Sequence, residues 1–184
     1  MNAWLEKALL DVAADATVLR TVFPGVGRRV GRGPSETPGW TVDDVARVEL
    51  LKAAPGAAAE LPDLYRYGDA AEKRAVLRGL SVVDTGDAGD AGVELVADAL
   101  RTNDTRLVTA AMGEYAATHL DDAAYRHGVL KCVFMGIPLA DIAGLDRRTD
   151  AELLRMMRSF AAERTAAGRD VPADLLPLLT EQDA

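Results

Sequence analysis

The stretch VLKCVFMGIPLADIAGLDRR, from Val129 to Arg148, joins an apolar run to a break and then to a cluster of charged residues. The preceding segment Asp121–Met135 has the apolar spacing of an α-helix. Gly136 and Pro138 are expected to end that helix, because proline disfavours the helical conformation in the residue before it. A single lysine, Lys131, interrupts the apolar run, so the stretch predicts a central core helix that carries one unexplained cation.

Start and stop signals divide the rest of the chain into helices in the same way. Thr41 and Asp69 are expected to be N-caps. Thr149 is expected to open a further helix, with Glu152 completing a capping box, and Gly168 to end it. These signals predict helices of ordinary length for a globular protein.

No segment alternates with the period of two that marks a half-buried strand. One continuous helix is expected over 104–120, whereas the acidic stretch 84–92 is expected to be a loop because of its glycines and aspartates. Short helices in close succession predict an all-α fold, with a single domain over residues 1–184 built from stacked antiparallel helical hairpins, HEAT/ARM-like.

Composition and charge exclude several classes of protein. The 184 residues carry a formal net charge of -8, so a broad nucleic-acid surface is not expected. The single cysteine excludes an intrachain disulfide. The first residues lack the basic and apolar regions of a signal peptide, and no apolar window is long enough for a membrane span. A soluble, cytoplasmic protein without a membrane span is therefore expected.

Motifs of familiar enzymes and metal sites are missing from the sequence. It contains no GxGxxG, P-loop, HExxH or GxSxG pattern. His119 and His127 are separated by an expected helix start at Asp121, and the aspartates of 84–92 lack the closing glutamate of a calcium loop. We therefore expect no metal and no cofactor, and the catalytic residues, if the protein has any, stay unknown.

Two interpretations of Lys131 remain open from the sequence. The aliphatic part of its side chain could cover apolar neighbours while the ammonium group reaches water. Alternatively, the ammonium group could lie in an internal pocket, where burial of a charge requires an acidic or phosphate partner, with Asp146 as the candidate within the chain. The neighbouring Cys132 is interpreted as a small buried apolar residue.

Other polar residues at expected helix junctions are candidates for the same binding site. Arg147 and Arg148 could hold an anion near the start of the following helix. Tyr115 and His119 are four residues apart and would share one helix face. Together with the junction after Ala99, the candidate ligand-binding residues are Lys131, Arg147, Arg148, Asp146, Arg101, Asn103, Tyr115 and His119.

Several blocks taken in order resemble the EboA family. The most diagnostic part is 98–172, and two blocks closer to the N-terminus are similar as well. Glu114 departs from the family pattern, in which a proline is expected before the Tyr-Ala-Ala segment. The blocks that carry the resemblance are ADALRTND, EYAATHL, the run from Val129 to Pro172, TVDDVARVELL and LYRYGDAAEKRAVLRGL.

The resemblance implies a cellular context rather than a reaction. EboA-like proteins are encoded beside a prenyltransferase, a TatD-like hydrolase and a dehydroquinate-synthase-like enzyme. These neighbouring genes imply an accessory protein of secondary metabolism and metabolite transport. Such a protein would bind a small phosphorylated or prenylated intermediate or a partner enzyme. Its expected partners are other Ebo-cluster proteins or a small metabolite, with peripheral association to a membrane enzyme.

Two alternatives stay open beside that interpretation. One is a cofactor-independent enzyme of the same pathway, with Lys131 or His119 as a general base or Schiff-base former. The other is a structural adaptor that contacts proteins through a concave helical surface. The sequence does not choose between enzyme, binding protein and adaptor.

Overall fold

The computed structural model describes residues 2–83 and 89–180, and every regular element in these ranges is a helix. The all-α prediction is confirmed, and an isolated bridge between Pro34 and Thr41 is the one β-type pairing there. HEAT/ARM-like stacking of hairpins is not confirmed. In chain order the α-helices are α1 (Ala3–Ala14), α2 (Leu19–Val22), α3 (Val26–Val30), α4 (Val42–Ala53), α5 (Leu61–Tyr67), α6 (Ala70–Gly79), α7 (Gly89–Leu100), α8 (Thr105–Ala111), α9 (Glu114–His119), α10 (Asp122–Met135), α11 (Leu145–Arg148), α12 (Ala151–Ala166) and α13 (Leu175–Thr180).

The chain divides into two compact units, Met1–Ala99 and Leu100–Ala184. In the first unit α4 packs against α6, α1 and α3. Gly79 permits the close approach of α6 to α4, because a Cβ atom there would lie 2.4 Å from Leu51 Cδ1. The single domain over residues 1–184 stays a prediction.

Both helix starts predicted in the first unit are confirmed. Thr41 is the N-cap of α4, and its backbone N–H donates to the carboxylate of Asp44 at 3.0 Å. Asp69 is the N-cap of α6, and its carboxylate accepts hydrogen bonds from the N–H groups of Ala71 and Glu72. Local sequence was therefore sufficient to locate these two ends.

A buried ionic cluster joins α4 to α6. The carboxylate of Asp44, which is fully buried, accepts from Arg74 Nε at 2.9 Å and from Arg78 Nη1 at 2.5 Å. Beside it, Arg47 donates to the Asp43 carboxylate at 2.6 Å, and both side chains of that pair are buried. The cluster replaces water around two aspartates with guanidinium groups, which is the condition for burying such charges.

In the second unit α10 occupies the centre, as the apolar run predicted. Tyr125, Val129, Cys132 and Val133 are buried on it. Gly128 lies where a Cβ atom would come within 2.4 Å of Met112 Sδ, so glycine allows the neighbouring chain to pack closely. The break at Gly136 is confirmed, since this residue ends α10 in the left-handed conformation with φ of 71°.

Three local predictions need correction or lie outside the described part. The single helix over 104–120 is wrong, because the extended backbone of Gly113 separates α8 from α9. The cap of α12 is Asp150 rather than Thr149, since the Asp150 carboxylate accepts from Leu153 N–H at 2.8 Å. Of the predicted acidic loop, residues 84–88 lie outside the described residues, and α7 already begins at Gly89.

Candidate functional site

An open groove of about 440 Å³ lies between α10 and α12 in the second unit. Aromatic, aliphatic, cationic and acidic side chains all contribute to it, which is the mixed lining expected of a small-molecule site. The lining residues are His127, Leu130, Lys131, Phe134, Arg155, Met156, Ser159, Phe160 and Glu163.

The two helices of the groove begin side by side. Arg126 in the first turns of α10 donates to the carboxylate of Asp150, the N-cap of α12, with Nη2 and Oδ2 2.5 Å apart. Residues that follow each of these positions line the groove together. The helices therefore run from neighbouring starts in the same general direction.

This common direction produces a gradient of charge along the groove. His127 and Arg155 lie about one turn beyond the helix starts, Lys131 lies one turn further along α10, and Phe134 and Glu163 lie at the far end. Arg155 and Lys131 therefore lie nearer to the helix starts than the Glu163 carboxylate does.

Lys131 is half-buried and donates from Nζ to Asn103 Oδ1 at 3.1 Å. The expected partner Asp146 is exposed on α11 and forms no ion pair with Lys131 in the described part of the chain. Two of the candidate residues, Lys131 and Asn103, are thus brought together, and the lysine has a neutral amide as its partner. Neither of the two earlier interpretations of Lys131 fits fully, because the ammonium group is reachable by water and yet belongs to a groove.

Most other cations of the second unit are paired with carboxylates. Arg155 forms a bidentate pair with Glu152, at 2.8 and 2.7 Å. Carboxylate partners are also found for Arg106, Arg126, Arg147 and Arg148. Lys131 differs from these arginines, since no carboxylate among the described residues lies within ion-pair distance of it.

The other candidate residues lie outside the lining of the groove. Arg148 is half-buried and donates to the carbonyls of Ala117 and Leu120 at 3.1 and 2.8 Å, and its guanidinium lies 4.4 Å from the centre of the Tyr125 ring. It therefore stabilises the end of α9. Arg147, which is exposed, pairs with Glu114 at 2.6 Å.

Tyr115 and His119 do share a helix face, as their spacing predicted. Their rings stack with centroids 4.0 Å apart, and His119 Nδ1 donates to the Tyr115 carbonyl at 3.0 Å. Tyr115 is buried and His119 is exposed, and neither lines the groove. Arg101 is also exposed, at the end of α7, and does not line it.

Cys132 follows the groove-lining Lys131 on α10, but its side chain is buried and does not line the groove. Burial raises the pKa of its thiol to about 12, with a further contribution from the nearby Asp141 carboxylate. A thiol with such a pKa is almost wholly protonated near neutrality, so the geometry fits a small buried apolar residue.

Sequence reasoning missed most of the groove. Arg155, Ser159 and Glu163 recur every four residues on α12, and this polar row was a usable signal because such residues share one helix face. Phe134 gave no such signal, since it belongs to an apolar run that predicted burial, yet its side chain is 73% exposed.

Two further features concern metal binding and membrane crossing within the described residues. No group of three or more His, Cys, Asp and Glu side chains there is arranged to hold a metal ion. None of the helices found there combines the length and apolar character needed to cross a membrane.

Comparison with known proteins links this helical chain to one family. No curated protein and no solved structure matches it. A family model described as metabolite traffic protein EboA matches residues 29–180, a range that includes both groove helices and Asn103. This match covers most of the chain, and the protein therefore belongs to the EboA family.

Proposed function

We propose that the protein is an accessory protein of an Ebo-type metabolite biosynthesis and transport system, and that it binds a small pathway intermediate in the α10–α12 groove. The observation that carries this proposal is Lys131, a half-buried cation of the groove whose hydrogen-bond partner is the neutral Asn103 amide. A cation among apolar side chains gains most from an anionic partner, which a phosphorylated metabolite would supply, while a prenyl group would contact the apolar side chains.

The composition of the groove supports a small molecule with both polar and apolar parts. Leu130, Met156 and Phe160 offer apolar surface, while Lys131 and Ser159 offer hydrogen-bond donors beside it. The description of the family as metabolite traffic proteins is consistent with binding and release of such a molecule. We place this activity in the cytoplasm, where the protein would associate peripherally with a membrane enzyme.

Thermal unfolding in the presence of sugar phosphates and prenyl phosphates tests the proposal. A ligand at a hundred times its dissociation constant stabilises a protein by about 2.7 kcal/mol, which corresponds to a rise of roughly 5–10 °C in Tm for a chain of this size. We expect Lys131→Ala to reduce that rise. Arg158→Ala serves as the matched control, because Arg158 is an exposed cation of α12 outside the groove lining.

Absence of any stabilisation across both classes of phosphate would contradict the proposal. So would a rise in Tm that Lys131→Ala and Arg158→Ala reduce equally, because the ligand would then be held by general surface charge.

A second candidate function is an adaptor role, favoured by Phe134. The Phe134 side chain is 73% exposed at the edge of the groove and offers apolar aromatic surface that a partner protein would cover. In this case the groove would hold a segment of another Ebo-cluster protein. Binding assays with the purified prenyltransferase and hydrolase of the cluster test it, and Phe134→Ser would abolish an interaction that Phe134 anchors.

The alternative of a cofactor-independent enzyme, with Lys131 or His119 as the acting residue, predicts a pocket that contains both side chains. The groove is lined by Lys131 and His127, whereas His119 lies outside its lining. Borohydride trapping with carbonyl compounds tests the remaining Schiff-base form of this alternative, because it would attach the compound covalently to Lys131.

A further inference from the structure

We infer that the groove is specific for a single-headed amphiphile, a molecule with one anionic group, either a carboxylate or a phosphate monoester, at one end of an apolar body. The inference rests on the proposed function and specifies its ligand class. It follows from the distribution of charge along the groove, from the number of uncommitted cations and from the position of the apolar side chains.

The charge gradient determines the orientation of the ligand. Arg155 lies in the second turn of α12 and Lys131 lies within the α10 lining, whereas Glu163 lies two turns beyond Arg155 in the same groove. An anionic group is therefore attracted to Lys131 and Arg155 and repelled from the Glu163 end. A molecule with a second anionic group at its other end would place that group beside the Glu163 carboxylate.

The number of available cations limits the charge of the head group. Arg155 is already paired with Glu152, whereas Lys131 has three N–H donors and uses one of them on Asn103. One ammonium group with two further N–H donors suits a single carboxylate or phosphate monoester better than a diphosphate, which carries more charge.

The apolar side chains define where the body of the ligand lies. Leu130 and Phe134 form one row on α10, and Met156 and Phe160 form the facing row on α12, each pair four residues apart. Because Lys131 lies between Leu130 and Phe134 on α10, a head group held there leaves Phe134, Met156 and Phe160 to contact the body of the ligand. At 1.5 Å per residue, the lining of α12 from Arg155 to Glu163 extends over about 12 Å, which limits the length of that body.

NMR of isotope-labelled methionine methyl groups tests this inference directly, because Met156 lines the groove and Met157, on the same helix, is fully buried and reports whether the core is intact. The probes are octanoate, octyl phosphate, octanol and suberate, which share an eight-carbon chain. We expect octanoate or octyl phosphate to shift the Met156 signal, and the tighter of these two identifies the head group. Octanol and suberate should each bind about tenfold or more weakly, which corresponds to loss of one charge-assisted contact.

Charge variants separate the two ends of the groove. Lys131→Met should weaken the better monoanion about tenfold and leave octanol unchanged. Glu163→Gln should strengthen suberate severalfold and leave the monoanion unchanged. Arg158→Met, which removes an exposed cation outside the lining, should change none of these affinities.

Specific outcomes would overturn the inference. Equal affinity for octanoate, octyl phosphate, octanol and suberate, with the Met156 signal shifted, would show that the groove binds small molecules without selecting a single anionic head, and the proposed function would survive. A Met156 signal that none of the four probes moves would overturn the inference. If the sugar and prenyl phosphates also fail to stabilise the protein, the proposed function falls with it.

Discussion

The buried cluster between α4 and α6 predicts that Asp44→Asn strongly destabilises the first unit. The Asp44 carboxylate accepts from the Thr41 N–H at 3.0 Å, from Arg74 Nε at 2.9 Å and from Arg78 Nη1 at 2.5 Å. An asparagine offers one acceptor oxygen and an NH₂ donor in their place. At least one arginine would then face another donor and lose its countercharge.

The size of the effect follows from burial. Asp44 is fully buried, while the side chains of Arg74 and Arg78 are 10% and 11% exposed. Removing one member of a buried ion pair typically costs about 3–5 kcal/mol, because a charge is left without compensation. Partial access of water to the two guanidinium groups places the expected loss near the lower value, about 3 kcal/mol.

Urea unfolding followed by tryptophan fluorescence measures this loss in the relevant unit, since both tryptophans, Trp4 and Trp40, precede Ala99. A loss of about 3 kcal/mol lowers the unfolding midpoint by roughly 1–3 M urea at an unchanged slope. Asp63→Asn is the matched control. Asp63 is half-exposed and 3.7 Å from Arg20, so its change should be within about 0.5 kcal/mol. Equal midpoints for the two variants would refute the reasoning.

Three further predictions concern single side chains. Arg148→Met should cost about 2–3 kcal/mol in urea unfolding, since buried carbonyls at the end of α9 lose their donor, and Arg148→Lys should restore little because the planar fork is missing. Burial, and then the Asp69 charge, raise the pKa of Glu72, so the folded state holds its proton more tightly and wild-type stability falls as pH rises through that pKa. Glu72→Gln should therefore gain stability over wild type near neutral pH and lose this advantage below the unfolded pKa of about 4.3, and an advantage that is the same at both pH values would contradict the assignment. Cys132, with a pKa of about 12, should react with iodoacetamide roughly a thousandfold more slowly in the folded chain than in urea, as followed by mass spectrometry.

Predictions of helix ends from capping residues were confirmed more often than the prediction that one helix continues over a long apolar pattern. Thr41, Asp69 and Gly136 each mark a helix end through their own side chain or backbone freedom. The predicted helix over 104–120 was wrong because apolar spacing continues through Gly113, although the backbone turns there. Spacing alone does not show such a turn, because α8 and α9 both bury apolar residues and the apolar pattern is therefore not interrupted between them.

The candidate site was predicted only in part for a related reason. Lys131 is predictable as a site residue because it is the one charged residue in an apolar run, and Asn103 because it is a polar residue at a helix junction. Arg148 had the same appearance in the sequence, yet it stabilises the end of α9 through its hydrogen bonds to backbone carbonyls. Whether a cation meets a carbonyl, a carboxylate or an open groove depends on residues far away in the chain, which a local pattern does not contain.

The sequence by itself determined the all-α class, the ends of several helices and membership of the EboA family, because helical spacing, capping residues and ordered motifs are properties of neighbouring residues. Only the tertiary structure decided that α10 and α12 begin side by side and that Lys131 pairs with Asn103 instead of Asp146. It also decided that Phe134 is exposed. The physical reason is that burial and pairing depend on distances across the chain, and packing of whole helices determines those distances.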